Sequence, residues 1–357
     1  MQQSSTPRFH NVLVARFSAL GDVAMTVPVI YSVCQANPAT RFIIITQPVA
    51  STLFINAPAN LVAVSIDTKV KYHGLTGLMR LVKELSAKYQ IDAFADLHDV
   101  PRTWIIGSLL RLRGIPYFRL KKGRSGKRAL TRKHNKRMLP LISQRARYRE
   151  VFYRMGFSFE ESFSSIFGCH MAPAEAFASI SAPKPEGFSW IAIAPFAKHQ
   201  GKIYPLDLME KVVASLSARE NTHIFLFGAG DCERNVLRRW ADSYPGVTTL
   251  ADKRNGFPTE LALLSHCDVM LSMDSANMHL SSLVRLPVVS VWGATHPYCG
   301  FMGWHQEERN AVQLNMACRP CSVFGDKPCM YHDHFCLKGI APSLIISHID
   351  QVLAAGK

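Results

Sequence analysis

Acidic residues are the scarce ingredient of this chain. Only 26 Asp and Glu stand against 41 Lys and Arg in 357 residues, leaving a formal net charge of +15. That balance excludes an acidic, self-solvating chain and points to an anionic partner: nucleic acid, a membrane face or a phosphorylated substrate. Long apolar runs are missing too. No stretch approaches the roughly 20 apolar residues that span a bilayer; Arg16 and Asp22 interrupt the best candidate, residues 12–33. The start MQQSSTPRFH is polar, and the apolar run 12–15 behind it is too short for a secretory signal core. Cysteine numbers nine, five of them scattered singly, which suits a reducing compartment better than a disulfide framework. The expected location is cytoplasmic.

What the sequence does contain is a repeated grammar. A chain of 357 residues exceeds one ordinary core, so two domains are expected. Short β-branched runs at 12–15, 42–46, 61–66 and 93–96 alternate with amphipathic stretches such as 75–89. Runs at 190–194, 224–227, 269–272 and 288–292 repeat the pattern. Strands spaced by helices imply βαβ units and a parallel sheet in each half. The Ala-, Pro- and Ser-rich segment 171–189 reads as a linker. The expected division is therefore 1–175, 186–340, and a C-terminal helix in 341–357 packing back toward the first domain. Doubly wound sheets bind ligands beyond the C-terminal ends of their strands, so the motifs that follow strands carry the functional signal.

Gly21-Asp22 follows the first strand and opens a helix. Glycine permits a tight turn and close backbone approach; Asp22 is a helix cap or a general base. In LSMDSANMHLSSL a strand ends at Asp274 and a helix begins at Ser275 or Ala276. Its free N–H groups suit a diphosphate, and His279, one turn on, is a core residue or touches the same anion. AIAPFAKHQGKIYP places Lys198 and Lys202 after a strand, as solvated lysines or as a phosphate clamp. FLFGAGDCER resembles a dinucleotide fingerprint but has Glu233 where the third glycine belongs, which sets NAD aside. Glu233 suits ribose hydroxyls instead.

Residues 119–149 hold thirteen Lys and Arg and no Asp or Glu, with no Phe, Tyr or Trp between Leu120 and Arg147. Without aromatic side chains to stack bases, this tract suits phosphates or an anionic membrane surface rather than nucleic acid. Cys318, Cys321, Cys329 and Cys336, with His332 and His334 among them, are a candidate structural zinc site. Their second pair is split by six residues, so the spacing is irregular, and the elements of a deaminase-type zinc site are not matched.

In their order along the chain these motifs resemble glycosyltransferase family 9, the heptosyltransferases of bacterial cell-surface polysaccharide synthesis. The matching elements are VARFSALGDVAMTVPVI, APFAKHQGKIYP, FLFGAGDCE, MDSANMHLSSL, VVSVWGATHP and the final cysteine-containing segment. The resemblance implies a GT-B fold, two Rossmann-like doubly wound domains facing a central cleft, with the acceptor on the first and the nucleotide sugar on the second. It implies transfer of a heptose from ADP-heptose with inversion, without a catalytic metal or other cofactor, to a lipid-linked lipopolysaccharide acceptor. Asp22 would be the base. Lys202, with Lys198 in the same loop, would hold phosphate or sugar, Glu233 the ribose and Asp274 heptose hydroxyls, while Ser275, Ala276, Asn277 and His279 face the diphosphate. The acceptor is expected at Ser18 and Gly21 and on the basic tract, at Lys121, Lys122, Arg124, Lys127, Arg128, Arg132 and Lys136, with peripheral contact to the cytoplasmic face of the inner membrane. The sequence departs from the family in having Ser275-Ala276 where Thr-Gly is frequent, and Phe196-Ala197 where small polar residues are frequent. The rival readings are a GT-B enzyme for another nucleotide sugar and a non-catalytic binder of anionic glycolipid.

Overall fold

The computed structural model describes residues 8–356; the polar start 1–7 and Lys357 lie outside them. The chain divides into two compact units. One holds the residues up to Lys122 together with Gln144–Ile166, the other Gly123–Ser143 and the residues from Phe167 on.

The first unit is built on β1 (Asn11–Ala15), β2 (Arg41–Thr46), β3 (Leu61–Ser65), β4 (Ala93–Asp96) and β5 (Tyr117–Arg119). They form one parallel sheet in the order β3-β2-β1-β4-β5. Leu13, Val14, Ile43, Ile44 and Ile45 are fully buried, which is why these strands read as continuous apolar runs: both faces of a parallel sheet are covered. Helix Gly74–Tyr89 covers one face with Leu78, Leu81, Val82, Leu85 and Tyr89, a stripe at helical spacing that joins the core of Leu13, Ile43 and Phe94.

The second unit carries β6 (Ser189–Ala194), β7 (Thr222–Leu226), β8 (Val247–Thr249), β9 (Val269–Met273), β10 (Val288–Val291) and β11 (Ala311–Val312). The order is β11-β10-β9-β6-β7-β8, again parallel throughout. The strand order reverses between β1 and β4 in the first sheet and between β6 and β9 in the second. Those are the topological switch points, where loops diverge and leave a crevice past the strand ends.

Three features differ from the sequence expectation. The edge strands β5, β8 and β11, two or three residues long, were not anticipated because such short strands show no alternation. The segment 171–189 is packed, not loose. Phe177 is fully buried, with its ring centroid 4.8 Å from His266 and 6.0 Å from Trp190. Ala172 donates its N–H to Ser265 Oγ at 3.0 Å. This segment therefore belongs to the second unit. Helix Pro342–Ala355, expected to pack toward the first domain, buries Ile345, Ile349 and Val352 in the core of the second unit with Ile191, Leu216 and Val289. Arg219 and Asp350 tie it there at 2.6 Å.

The basic segment Gly123–Ser143, sequentially inside the first half, is likewise held by the second unit. Leu141 donates its N–H to the Tyr298 carbonyl at 2.9 Å. Lys136 Nζ donates to the carbonyls of Ala317, Cys318 and Pro320 at 3.3, 2.7 and 3.1 Å. Gly300, at φ +83, passes so close that a Cβ would lie 2.9 Å from the Ile142 carbonyl oxygen.

Candidate active site

Each switch point holds an ion pair with one buried and one half-buried partner. In the first unit, the chain leaves β1 through Arg16 and Phe17 and enters the short helix Leu20–Ala24, with Asp22 in its first turn. Arg16 Nη2 lies 2.6 Å from Asp22 Oδ2; the arginine side chain is 7% exposed and the aspartate 24%. Arg16 Nη1 donates to the Leu97 carbonyl at 2.8 Å, past the end of β4, so the arginine spans the switch point. The Ala19 N–H reaches Asp22 Oδ2 at 3.3 Å, and the Tyr148 hydroxyl donates to the Asp22 carbonyl at 3.4 Å. Asp22 thus does not cap its helix as the residue before it. It is the third residue of the helix, within its first turn, its carboxylate folded back to accept the N–H of the cap residue Ala19. Ser18 and Ala19 are the exposed residues of this turn, while Gly21 is buried beneath them.

The loop after β4 completes this half. Asp96 is fully buried and accepts from the N–H groups of His98 and Asp99 at 2.8 Å each and from the Tyr117 hydroxyl at 2.9 Å. Burial raises its carboxyl above the ordinary range. His98 Nδ1 accepts the Phe17 N–H at 3.4 Å, which leaves the ring proton on Nε2. Burial, with Arg16, Lys122 and Arg102 nearby, pushes the imidazole down to about 3, so the ring is neutral. Lys122 Nζ donates to the Asp99 carbonyl at 2.5 Å and Arg119 pairs with the Asp99 carboxylate at 3.3 Å.

In the second unit, Lys202 comes from the loop after β6 and Asp274 from the end of β9, the two sides of the other switch point. Lys202 Nζ and Asp274 Oδ2 stand 3.1 Å apart, with side-chain exposures of 16% and 6%. Helix Ala276–Leu283 starts immediately afterwards, with Ser275 in extended conformation as its cap and Ser272 Oγ 3.2 Å from Ser275 Oγ. Its first-turn N–H groups carry the positive end of the helix dipole. His279 is buried on this helix and Asn277 is half-buried.

The loop that carries Lys202 also borders a cavity of about 500 Å³, lined by Phe196, Ile203, Tyr204, Glu233, Val236 and Leu337 among others. That volume falls in the general range of small-molecule sites, roughly 300–1,000 Å³. Glu233, in the first turn of helix Asp231–Ser243, accepts the Ala229 N–H at 2.8 Å. Phe196, a departure from the family pattern, forms part of the apolar wall.

The structure brings together Lys202, Asp274 and Ser275, with Glu233 on the adjoining cavity, while Lys198 is exposed on the loop. The basic residues expected to act together are divided. Lys121 and Lys122 belong to the first unit, whereas Arg124, Lys127, Arg128, Arg132 and Lys136 belong to the second. Arg124, Arg128 and Arg132 are exposed. Lys136 directs its ammonium at three backbone carbonyls, a role in holding the segment. Sequence reasoning did not single out Arg16 or His98. The signal for Arg16 was an arginine inside an otherwise apolar run; the signal for His98 required knowing that β4 adjoins β1.

Cys318, Cys321, Cys329 and Cys336 line one small cavity of about 20 Å³, and all four are free thiols. Burial pushes the Cys336 thiol up to about 11 and also raises Cys321. Among the described residues no group of three or more His, Cys, Asp and Glu is arranged to hold a metal ion. The thiols converge without forming a ligand shell.

Comparison with known proteins matches this architecture. Lipooligosaccharide heptosyltransferase 2 of Campylobacter jejuni is 22% identical over 337 residues, 93% of this chain and 96% of the relative. The crystal structure of a glycosyl transferase family 9 protein from Veillonella parvula superposes with a TM-score of 0.74 at 17% identity, covering 97% and 98% of the two chains. The E. coli heptosyltransferase WaaC with ADP-2-deoxy-2-fluoro heptose gives 0.64 at 17% identity, over 96% and 99%. These likenesses establish the GT-B fold. The model of glycosyltransferase family 9 (heptosyltransferase) matches residues 116–332, more than half of the sequence. The chain is a glycosyltransferase and belongs to family 9, the heptosyltransferases.

Proposed function

We propose that this glycosyltransferase moves a heptose from ADP-heptose to a lipid-linked lipopolysaccharide inner-core acceptor, by a single displacement with inversion and with Asp22 as general base. The observation that carries the donor half is the Lys202–Asp274 pair at 3.1 Å, set at a helix N-terminus, with the loop of Lys202 bordering the 500 Å³ cavity that Glu233 lines. A relative named as a lipooligosaccharide heptosyltransferase, similar over nearly its whole length, supports the acceptor class. A solved relative bound to a fluorinated ADP-heptose supports the donor.

On this reading the acceptor hydroxyl gives its proton to Asp22 as its oxygen bonds to the anomeric carbon. The bond from that carbon to the β-phosphate oxygen breaks with its electron pair on ADP. General-base assistance of this kind contributes about 10²–10⁴-fold. The larger share comes from stabilising the departing diphosphate, for which the helix terminus and Lys202 supply positive charge. Asp274 takes heptose hydroxyls and Glu233 the ribose hydroxyls. The reading calls for no cofactor.

Among the described residues no helix is long and apolar enough to cross a membrane. The surface that meets the anionic membrane bearing the acceptor is, on our reading, the outer side of residues 132–142. Arg132, Lys133 and Arg137 are exposed there beside Met138, Leu139 and Ile142, which are 42%, 66% and 64% exposed. Cations flanking exposed apolar side chains are the composition of an interfacial contact. The deciding experiment is a turnover screen of ADP-heptose against UDP- and GDP-sugars, each with truncated lipopolysaccharide cores. Turnover confined to ADP-heptose is expected; turnover with another donor alone removes the assignment.

A further inference from the structure

The basic segment contributes one lysine that stands apart from its neighbours. Lys127, half-buried, projects its ammonium 5.2 Å from the ring centroid of Phe301 and 5.4 Å from that of Phe324, two rings 5.8 Å apart. Such a site attracts an ammonium to both aromatic faces and fixes it on a defined spot. Both rings lead to the Lys202–Asp274 pair. Phe324 precedes Gly325, which lies so close to the Lys202 stem that a Cβ would fall 2.4 Å from Lys202 Cγ. Phe301 follows Cys299 by two residues. Burial pushes that thiol up to about 11, with Asp274 raising it and Lys127 and Lys202 lowering it, so the three charged groups share one neighbourhood.

The charge balance of that neighbourhood calls for another cation. Lys202 is already balanced by Asp274 at 3.1 Å in a largely buried setting. A nucleoside diphosphate brings further negative charge next to the Asp274 carboxylate, and an uncompensated anion in such a place is strongly disfavoured. The first turn of helix Ala276–Leu283 offers only a partial charge.

We infer that Lys127, carried into the second unit by the basic segment, is the second cation of the donor diphosphate site, and a donor residue where the sequence suggested an acceptor one. The assignment rests on the ADP-sugar reading above. It also explains why the segment is anchored to the second unit by Lys136 and Leu141: the anchor holds Lys127 in place.

The test is calorimetric titration of the full chain with ADP, alongside steady-state kinetics in donor and acceptor. Lys127→Met, which keeps the stem and removes the charge, is expected to weaken ADP binding about 10- to 100-fold, the weight of a charge-assisted contact. It should leave the acceptor KM within twofold. Lys127→Arg should recover most of the affinity, which a purely structural role would not require, and this variant decides the question should Lys127→Met fold poorly. ADP affinity unchanged in Lys127→Met, or a rise confined to the acceptor KM, overturns the inference. If the wild-type chain binds no ADP, the donor reading falls first and this assignment falls with it.

Discussion

Asp22 Oδ2 is held by Arg16 Nη2 at 2.6 Å, and the same guanidinium donates to the carbonyl of Leu97 beyond β4. The arginine thereby ties the proposed base to the neighbouring strand and fixes one oxygen, leaving Oδ1 as the oxygen for a substrate hydroxyl. Arg16→Met removes the tether. The expected result is a kcat reduced about tenfold or more with the donor KM nearly unchanged. Unfolding in urea should show a stability loss of about 1–3 kcal/mol, the range for hydrogen bonds to charged groups. A donor KM that rises while kcat holds would contradict a positioning role.

The Lys202–Asp274 pair makes a thermodynamic prediction. Lys202→Met leaves a carboxylate at 6% exposure without its ammonium, and breaking a buried pair in this way costs about 3 kcal/mol or more. Removing both charges, as Lys202→Met with Asp274→Leu, should cost less than the sum of the single changes, with a coupling of about 1–3 kcal/mol. Urea unfolding of the four proteins measures it. Lys202→Met should also lose ADP affinity, because it removes a cation facing the diphosphate.

His98 sets a pH dependence. Its imidazole is held down to about 3 in the fold against an ordinary value near 6.5. Below pH 6.5 the unfolded chain takes up a proton that the folded chain does not, so stability falls as pH falls from about 6.5 toward 3. The single-site loss is about 2 kcal/mol by pH 5. Urea midpoints at pH 5 and pH 8, for wild type and for His98→Gln, should show a smaller acid-side loss in the variant. An equal loss in both would assign the acid sensitivity to other groups.

The exposed apolar residues of the basic segment make an interfacial prediction. Leu139→Asp with Ile142→Asp should reduce co-sedimentation with anionic phosphatidylglycerol vesicles about tenfold or more. Binding should also weaken with salt, and ADP titration should be unchanged. Equal sedimentation of variant and wild type would detach this surface from the membrane.

Much of the fold was legible because a buried parallel strand has to be apolar on both faces, and eight such runs stood out between amphipathic stretches. The positions past β1, β6 and β9 that the proposed site uses were legible for a related reason. Glycine, aspartate and lysine following an apolar run are where doubly wound sheets keep their chemistry, and Asp22, Lys202 and Asp274 stand at those positions. Partnerships were not legible. That Lys202 pairs with Asp274, 72 positions on, follows from β6 lying beside β9, which no local pattern encodes. The basic tract looked like one surface because charge runs carry no information about what each stem packs on. Only the fold divides Lys122, on the Asp99 carbonyl, from Lys127, on two phenylalanines, and Lys136, on three carbonyls. The linker composition of residues 171–189 likewise hid Phe177, whose burial is set by Trp190 and His266.

The most direct test of the account is the single-turnover rate of Asp22→Asn with ADP-heptose and a truncated lipopolysaccharide core. Asparagine keeps the shape and the contact to Arg16 but cannot take a proton. The account predicts a rate about 10²- to 10⁴-fold below wild type, with ADP affinity essentially unchanged and a lower melting temperature, because the buried Arg16 loses its charged partner. A near-wild-type rate in a folded, ADP-binding variant would contradict it.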